Sequence, residues 1–236
     1  MEQAVPKILY KDRHIVVAVK PSGWLSEPGE GKSFPTLLSQ TLRQQGERDE
    51  IFTVHRLDRI VGGVMVFGRS GKAAGALCAQ MEKKQLQKEY LAVLRGRPEQ
   101  DEATLEDLLF RDSSKNKTFV VQRMRKGVRD ASLDYRLLST AQKDGQTLSL
   151  VGIRLHTGRT HQIRVQFASR KLPLLGDIRY GSKDPDCEAA LWAWRLGFVH
   201  PVTGERTVFS QLPPEAYPWT LFSGALPQVK SLTEGR

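Results

Sequence analysis

The sequence predicts an α+β fold, a mixed sheet with helices beside it, on three observations. Short runs rich in Ile, Val and Thr recur along the chain, apolar residues at helical spacing are confined to a few stretches, and Gly and Pro punctuate the joins between them. With 236 residues, 39% of them hydrophobic and 26% charged, the chain can bury a core without disulfide or metal staples, which excludes a disordered or fibrous polypeptide. No internal repeat, long linker or low-complexity tract divides it, so one domain over 1–236 is expected.

Lys7 to Tyr10 and His14 to Lys20 flank Asp12-Arg13 and read as a hairpin. Pro21, Gly23, Pro28, Gly29 and Gly31 then enforce a loop. Leu37, Leu38 and Leu42 predict a short surface helix from Thr36 to Gln45, stopped by Gly46. Ile51 to Leu57 and Gly63 to Arg69 read as strands. Ser70 caps a helix through Gln85 that turns Ala74, Leu77, Cys78 and Met81 inward. Lys88 to Leu94 returns as a strand, and Gly96 to Asp101 is a turn-rich connection. Thr118 to Gln122, Ser132 to Leu138 and Thr147 to Leu155 are further strands. Between them lie a flexible basic loop, Arg123 to Arg129, and a polar separator, Ala141 to Gln146. A helix is expected from Thr160 to Ser169. Trp192, Trp194, Leu196 and Phe198 alternate with Ala193, Arg195, Gly197 and Val199, the pattern of a strand with one bulky face, so packing explains those tryptophans better than base stacking. The polar end, Gln228 to Arg236, is expected to fray.

Lysine and arginine number 36 against 26 acidic residues, a formal charge of +10, which suits a polyanionic partner and makes nucleic acid the leading class. Cys78 and Cys187 form no C-x-x-C pair, so neither a zinc ribbon nor a disulfide framework is indicated, and reduced thiols fit a cytoplasmic protein. The early apolar run Ile15 to Val19 is too short for a signal segment, and nowhere do about 18 apolar residues run together, which excludes a membrane-spanning helix.

Glu30-Gly31-Lys32-Ser33 imitates a phosphate loop, but Ser26 stands where that motif needs glycine and Pro35 is expected to obstruct a helix starting there. There is no G-x-S-x-G elbow, H-E-x-x-H pair or G-x-G-x-x-G turn. His14, His156 and His200 have no ligand partners nearby in sequence and read as packed or surface histidines. Three constellations remain. His55-Arg56-Leu57-Asp58 sets an arginine and a carboxylate where two apolar runs meet. Leu155 to Arg164 carries Arg159, His161, Gln162 and Arg164 across a Gly turn and a helix start; from spacing alone an exposed basic helix cap is the commoner reading of such a run. Lys88-Glu89-Tyr90-Leu91-Ala92-Val93 places an aromatic in a strand, and taken alone Tyr90 is a strand tyrosine.

Together, in order and spacing, these segments resemble the RluA family of RNA pseudouridine synthases, from Ile8 to about Trp219. Lys20-Pro21-Ser22-Gly23, Leu175-Gly176-Asp177 with Tyr180-Gly181, and His200-Pro201-Val202-Thr203-Gly204-Glu205 strengthen the match. The resemblance implies the pseudouridine synthase fold, a mixed, largely antiparallel sheet with flanking helices and loops. It also implies isomerisation of uridine in RNA by breaking N1–C1′ and joining C5 to C1′, with no cofactor and no metal. Asp58 is then the catalytic carboxylate, either attacking C1′ or assisting removal of a ribose proton. Arg164, with Arg159 second, would keep it ionised in a site that excludes water. Arg56 would fill the stack vacated by the flipped nucleotide and Tyr90 would lie against the uracil, where its phenol can assist at C5. His55, Arg159, His161 and Gln162 are assigned to RNA binding, with His55 orienting the loop and Gln162 either touching RNA or supporting the helix start.

Two departures from the family pattern stand out. Val61-Gly62-Gly63 replaces the usual Thr-Ser-Gly, removing two hydroxyls that would support the catalytic loop. Nothing ahead of Lys7 can hold a small N-terminal RNA-binding domain, so RNA binding is assigned to this domain's own basic surface, including Lys115, Lys117, Arg123, Arg125, Lys126 and Arg129. Ribosomal RNA is the first expected substrate, transfer RNA the second, and a monomer the expected state. A non-catalytic RNA-binding or ribosome-assembly factor on the same fold is the alternative, and a hydrolase of small nucleosides a third reading that leaves the charge unemployed.

Overall fold

The computed structural model describes residues 5–233. In chain order the elements are β1 (Lys7–Lys11), β2 (Ile15–Lys20), α1 (Phe34–Gln44), β3 (Phe52–Thr53), β4 (Gly62–Gly68), α2 (Gly71–Glu82), β5 (Gln87–Arg95), β6 (Glu102–Asp112), β7 (Lys117–Val121), β8 (Val128–Lys143), β9 (Gln146–Leu155), α3 (Gln162–Ala168), β10 (Leu191–Val199), β11 (Arg206–Ser210) and α4 (Leu226–Thr233), with 3-10 turns at Ile178–Tyr180 and Trp219–Phe222. Among the described residues no helix is long and apolar enough to cross a membrane.

The chain packs as two compact units, Met1–Lys88 with Ala193–Gln211, and Glu89–Trp192 with Leu212–Arg236. In the first, strands run β1-β2-β4-β10, with β3 on β4 and β11 on β10. β2 and β4 are buried along their whole length. Their core gathers Ile15, Val17, Val64, Val66, Leu77, Leu196 and Phe198. In the second, the order is β5-β9-β8-β6-β7, and Tyr135 meets Phe167 of α3 edge to face at 5.4 Å.

Several elements differ from the sequence expectation for identifiable reasons. α1 begins two residues early because Ser33 caps it; Pro35 sits in its first turn, where a missing N–H costs nothing, so it does not obstruct the helix. Nor is α1 only superficial, since Phe34, Leu38 and Leu42 are fully buried. The strand expected from Ile51 to Leu57 is only Phe52–Thr53. α2 stops at Glu82, before the expected Gln85, and Lys84 turns to φ 56°. β6 was not anticipated, because its Glu and Asp residues have low strand propensity. Cross-strand partners on β8 offset this: Arg136 donates to Glu102 at 3.0 Å and the Thr104 hydroxyl to Asp134 at 2.8 Å. β8 runs through the polar separator to Lys143, and Asp144-Gly145, both with positive φ, make the tight turn to β9. β10 is buried on both faces rather than one. At the C-terminus α4 reaches Thr233, and the rest of the stretch expected to fray lies outside the described residues.

Candidate active site

Asp58 sits half-buried on an irregular loop between β3 and β4. A loop can hold a reacting group in place only if its backbone polar groups have fixed partners. Here four consecutive carbonyls have them. The Ser26 hydroxyl donates to Leu57 O at 2.7 Å, Val61 N–H to Asp58 O at 2.9 Å, Gly23 N–H to Arg59 O at 2.8 Å, and the Ser22 hydroxyl to Ile60 O at 2.7 Å. Leu57 N–H donates back to the Ser26 hydroxyl at 3.0 Å.

Lys20, the last residue of β2, is completely buried and its ammonium donates to the carbonyls of Pro21 (2.9 Å), Trp24 (2.8 Å) and Arg59 (3.2 Å). The segment 20–26 thus braces the Asp58 loop. It supplies backbone support in a chain whose Val61-Gly62 carries none of the usual hydroxyls. In the sequence Lys20 to Gly23 carry no assigned task and Ser26 figures only as the residue that breaks a phosphate-loop motif; the available signal was a lysine closing a strand after five apolar residues.

Gly63 is the position of that run that keeps the usual glycine. Its φ is +131°, and a Cβ there would lie 2.2 Å from the Ala193 carbonyl oxygen, so only glycine fits.

His55 is buried, and its Nε2 accepts the Val66 N–H at 3.2 Å, replacing a ladder bond where β3 ends. Burial, and secondarily the charge of Lys88, lowers its pKa to about 3, so the imidazole is neutral. The bond to Val66 ties the start of the loop to β4, and the RNA-contact expectation meets a side chain that is buried. Arg56 is its opposite: exposed, with Nε 3.2 Å from the Glu27 carboxylate. An exposed ion pair of this kind is weak and exchangeable.

In the second unit Tyr90 is 7% exposed on β5. Arg164 is buried on α3 and makes a two-pronged pair with Asp177, Nε to one oxygen at 2.7 Å and Nη2 to the other at 2.8 Å. The Tyr180 ring lies 5.2 Å from the guanidinium carbon. His161 adopts a left-handed φ of 55° just before α3, with Nδ1 3.0 Å from the Tyr180 hydroxyl.

Gln162 is buried. It accepts from the Thr157 hydroxyl (2.7 Å) and from Arg159 N–H (3.0 Å), and donates to Ser132 O (3.1 Å). These three bonds brace the turn that leads into α3. Arg159 is exposed, with Nε on Asp130 O at 2.9 Å. Among the described residues no three His, Cys, Asp or Glu side chains are grouped to hold a metal ion.

His200 is packed, as expected. Its Nδ1 accepts the Val202 and Thr203 N–H groups at 3.3 and 3.0 Å, so Nε2 carries the proton and donates to Asp12 at 2.9 Å.

A family model described as RNA pseudouridylate synthase matches residues 14–169. An uncharacterized RNA pseudouridine synthase of Aquifex aeolicus is 33% identical over 227 residues, covering 89% of this chain and 70% of the relative. Ribosomal large subunit pseudouridine synthase D of Nitrosomonas europaea is 30% identical, covering 90% of this chain and 64% of its own length. tRNA pseudouridine synthase C of Salmonella typhimurium is 33% identical, covering 84% and 82%. The chain therefore spans about two thirds of the length of several curated relatives. In fold it is similar to human RNA pseudouridylate synthase domain containing 1, with TM-score 0.79 and 21% identity over 98% of this chain and 95% of that one.

Proposed function

The chain belongs to the RluA family of RNA pseudouridine synthases, and from that premise we propose that it isomerises uridine to pseudouridine in structured RNA with Asp58 as its catalytic carboxylate. The reaction breaks N1–C1′, turns the base, joins C5 to C1′ and releases the C5 proton, so it needs no redox partner. The observation that carries the assignment is the bracing of the Asp58 loop at every carbonyl from Leu57 to Ile60, because a carboxylate that must meet an extruded nucleotide gains rate from being held in position beforehand. Tyr90 and Arg164 take the roles that the family resemblance assigns them.

RNA is held by exposed cations. Arg56 exchanges Glu27 for the vacated stack, and Arg159 stands beside the α3 turn. Residues 111–129 add seven Lys and Arg against a single acid. Arg123, Arg125 and Lys126 are exposed in the loop between β7 and β8, and β7 is the outer strand of its unit's sheet. The substrate is ribosomal RNA first and transfer RNA second, the relatives including enzymes named for each. The place of action is the cytoplasm and the working form a monomer.

Tritium release from C5-labelled RNA of cells lacking this gene, with wild type beside Asp58→Asn, tests the proposal. Release by wild type alone supports it. Release by neither protein, with RNA binding intact, would favour a binding factor.

A further inference from the structure

The Leu175-Gly176-Asp177 and Tyr180-Gly181 motifs have no task in the reaction as so far assigned. Their geometry converges on one side chain. Asp177 is 1% exposed and Arg164 3%, and the carboxylate takes Nε and Nη2 along one edge of the guanidinium. The Tyr180 ring covers the group at 5.2 Å.

Each of these two supports is itself fixed by the backbone. Asp177 O accepts the N–H groups of Tyr180 and Ser182, both at 3.0 Å. Gly176 before it has φ +74°, and a Cβ there would lie 2.5 Å from the carbonyl oxygens of Cys187 and Glu188, so this turn admits only glycine. The Tyr180 hydroxyl accepts Thr118 N–H at 2.9 Å, lies 3.2 Å from Thr118 O, and is 3.0 Å from His161 Nδ1. Burial raises the phenol's pKa, so it stays protonated and uncharged over the cation.

A guanidinium presents five donors in a rigid plane at the end of a flexible stem. Fixing one edge and one face therefore fixes where every remaining N–H points. We propose that Asp177 and Tyr180 are positioning residues that preset the Arg164 guanidinium for catalysis, the carboxylate setting its edge and the ring its face. This rests on the catalytic assignment of Arg164 and deepens it. The pair need not serve stability, since a buried ion pair gains little over apolar packing of similar size; orientation is what the two-sided arrangement supplies.

The test measures single-turnover tritium release, RNA affinity and thermal unfolding for Asp177→Asn, Tyr180→Phe, Arg164→Lys and the double variants. Asp177→Asn is expected to slow the chemical step by about tenfold or more, and Tyr180→Phe, which keeps the ring and loses its anchor, by about threefold or more. RNA affinity should stay within about twofold in both. In the Arg164→Lys background either change should add less than about twofold, because a positioning residue has nothing left to position.

Folded single variants that keep the wild-type rate, or losses that multiply fully onto that of Arg164→Lys, overturn the proposal. Should Asp177→Asn not fold, Tyr180→Phe and its double variant decide alone. If wild type forms no pseudouridine, the functional reading falls by itself, and exchange of the Arg164 Nε–H proton, followed by nitrogen-15 NMR, judges the clamp. Exchange about tenfold faster in Tyr180→Phe supports the clamp, and equal exchange refutes it.

Discussion

Ser26→Ala is the sharpest probe of the braced loop. The Ser26 hydroxyl both accepts the Leu57 N–H at 3.0 Å and donates to the Leu57 carbonyl at 2.7 Å. Ser26 is 5% exposed and Leu57 7%, so water does not readily replace it. Alanine adds no bulk and leaves the local backbone free to keep its path. Each backbone group left without a partner costs about 1–3 kcal/mol, offset in part because the hydroxyl itself no longer has to be desolvated. The expected loss is about 2–4 kcal/mol, which at about 2 kcal/mol per molar lowers the urea midpoint by about 1–2 M.

Leu57 precedes Asp58 directly, so the same change loosens the carboxylate. Single-turnover tritium release should fall by about ten- to a hundredfold with RNA affinity nearly unchanged. Urea unfolding followed by circular dichroism, beside the rate assay, checks both parts. A variant within about 0.5 kcal/mol of wild type and with full activity would show that the brace carries neither stability nor geometry.

His55 predicts a pH dependence. Its native pKa of about 3 lies below its ordinary value, so as pH falls through about 6.5 the unfolded chain takes up the proton first. Its contribution is complete above that point and is lost on the way down to pH 3, with a slope approaching about 1.4 kcal/mol per pH unit. His55→Gln keeps an acceptor for the Val66 N–H and should flatten this slope between about pH 6.5 and 5; urea midpoints that retain the wild-type slope would contradict it. For the basic surface, the triple change Arg123→Gln, Arg125→Gln, Lys126→Gln should weaken RNA binding and reduce the salt slope of log K by about 2–3 without altering the single-turnover rate. An unchanged slope in titrations at several salt concentrations would place the RNA elsewhere.

Much of the architecture could be read directly from the residues. The first hairpin, α2, β5, β7, β9 and β10 follow local rules, because alternation, caps and turn residues act over a few positions, although α2 stops short of Gln85 and β10 is buried on both faces. The elements that escaped were those whose stability is not local. β6 is a strand because Glu102 finds Arg136 and the Thr104 hydroxyl finds Asp134, both across the ladder on β8. The chain from Val54 to Leu57, expected to continue a strand, is part of a loop, and the Ser26 hydroxyl, distant in sequence, satisfies the backbone of Leu57.

The sequence by itself determined the charge and the family, and through the family it put Asp58 forward as the proposed carboxylate, since motif order and spacing are properties of the linear chain. Only the tertiary structure decided what holds the reacting groups. Ser26 and Lys20 lie more than thirty residues from the carbonyls they hold at Leu57 and Arg59, and Asp177 lies thirteen residues from Arg164. Hydrogen bonds act over about 3 Å and depend on direction. No spacing along the chain specifies such a meeting, which exists only once burial and sheet register have brought the partners together.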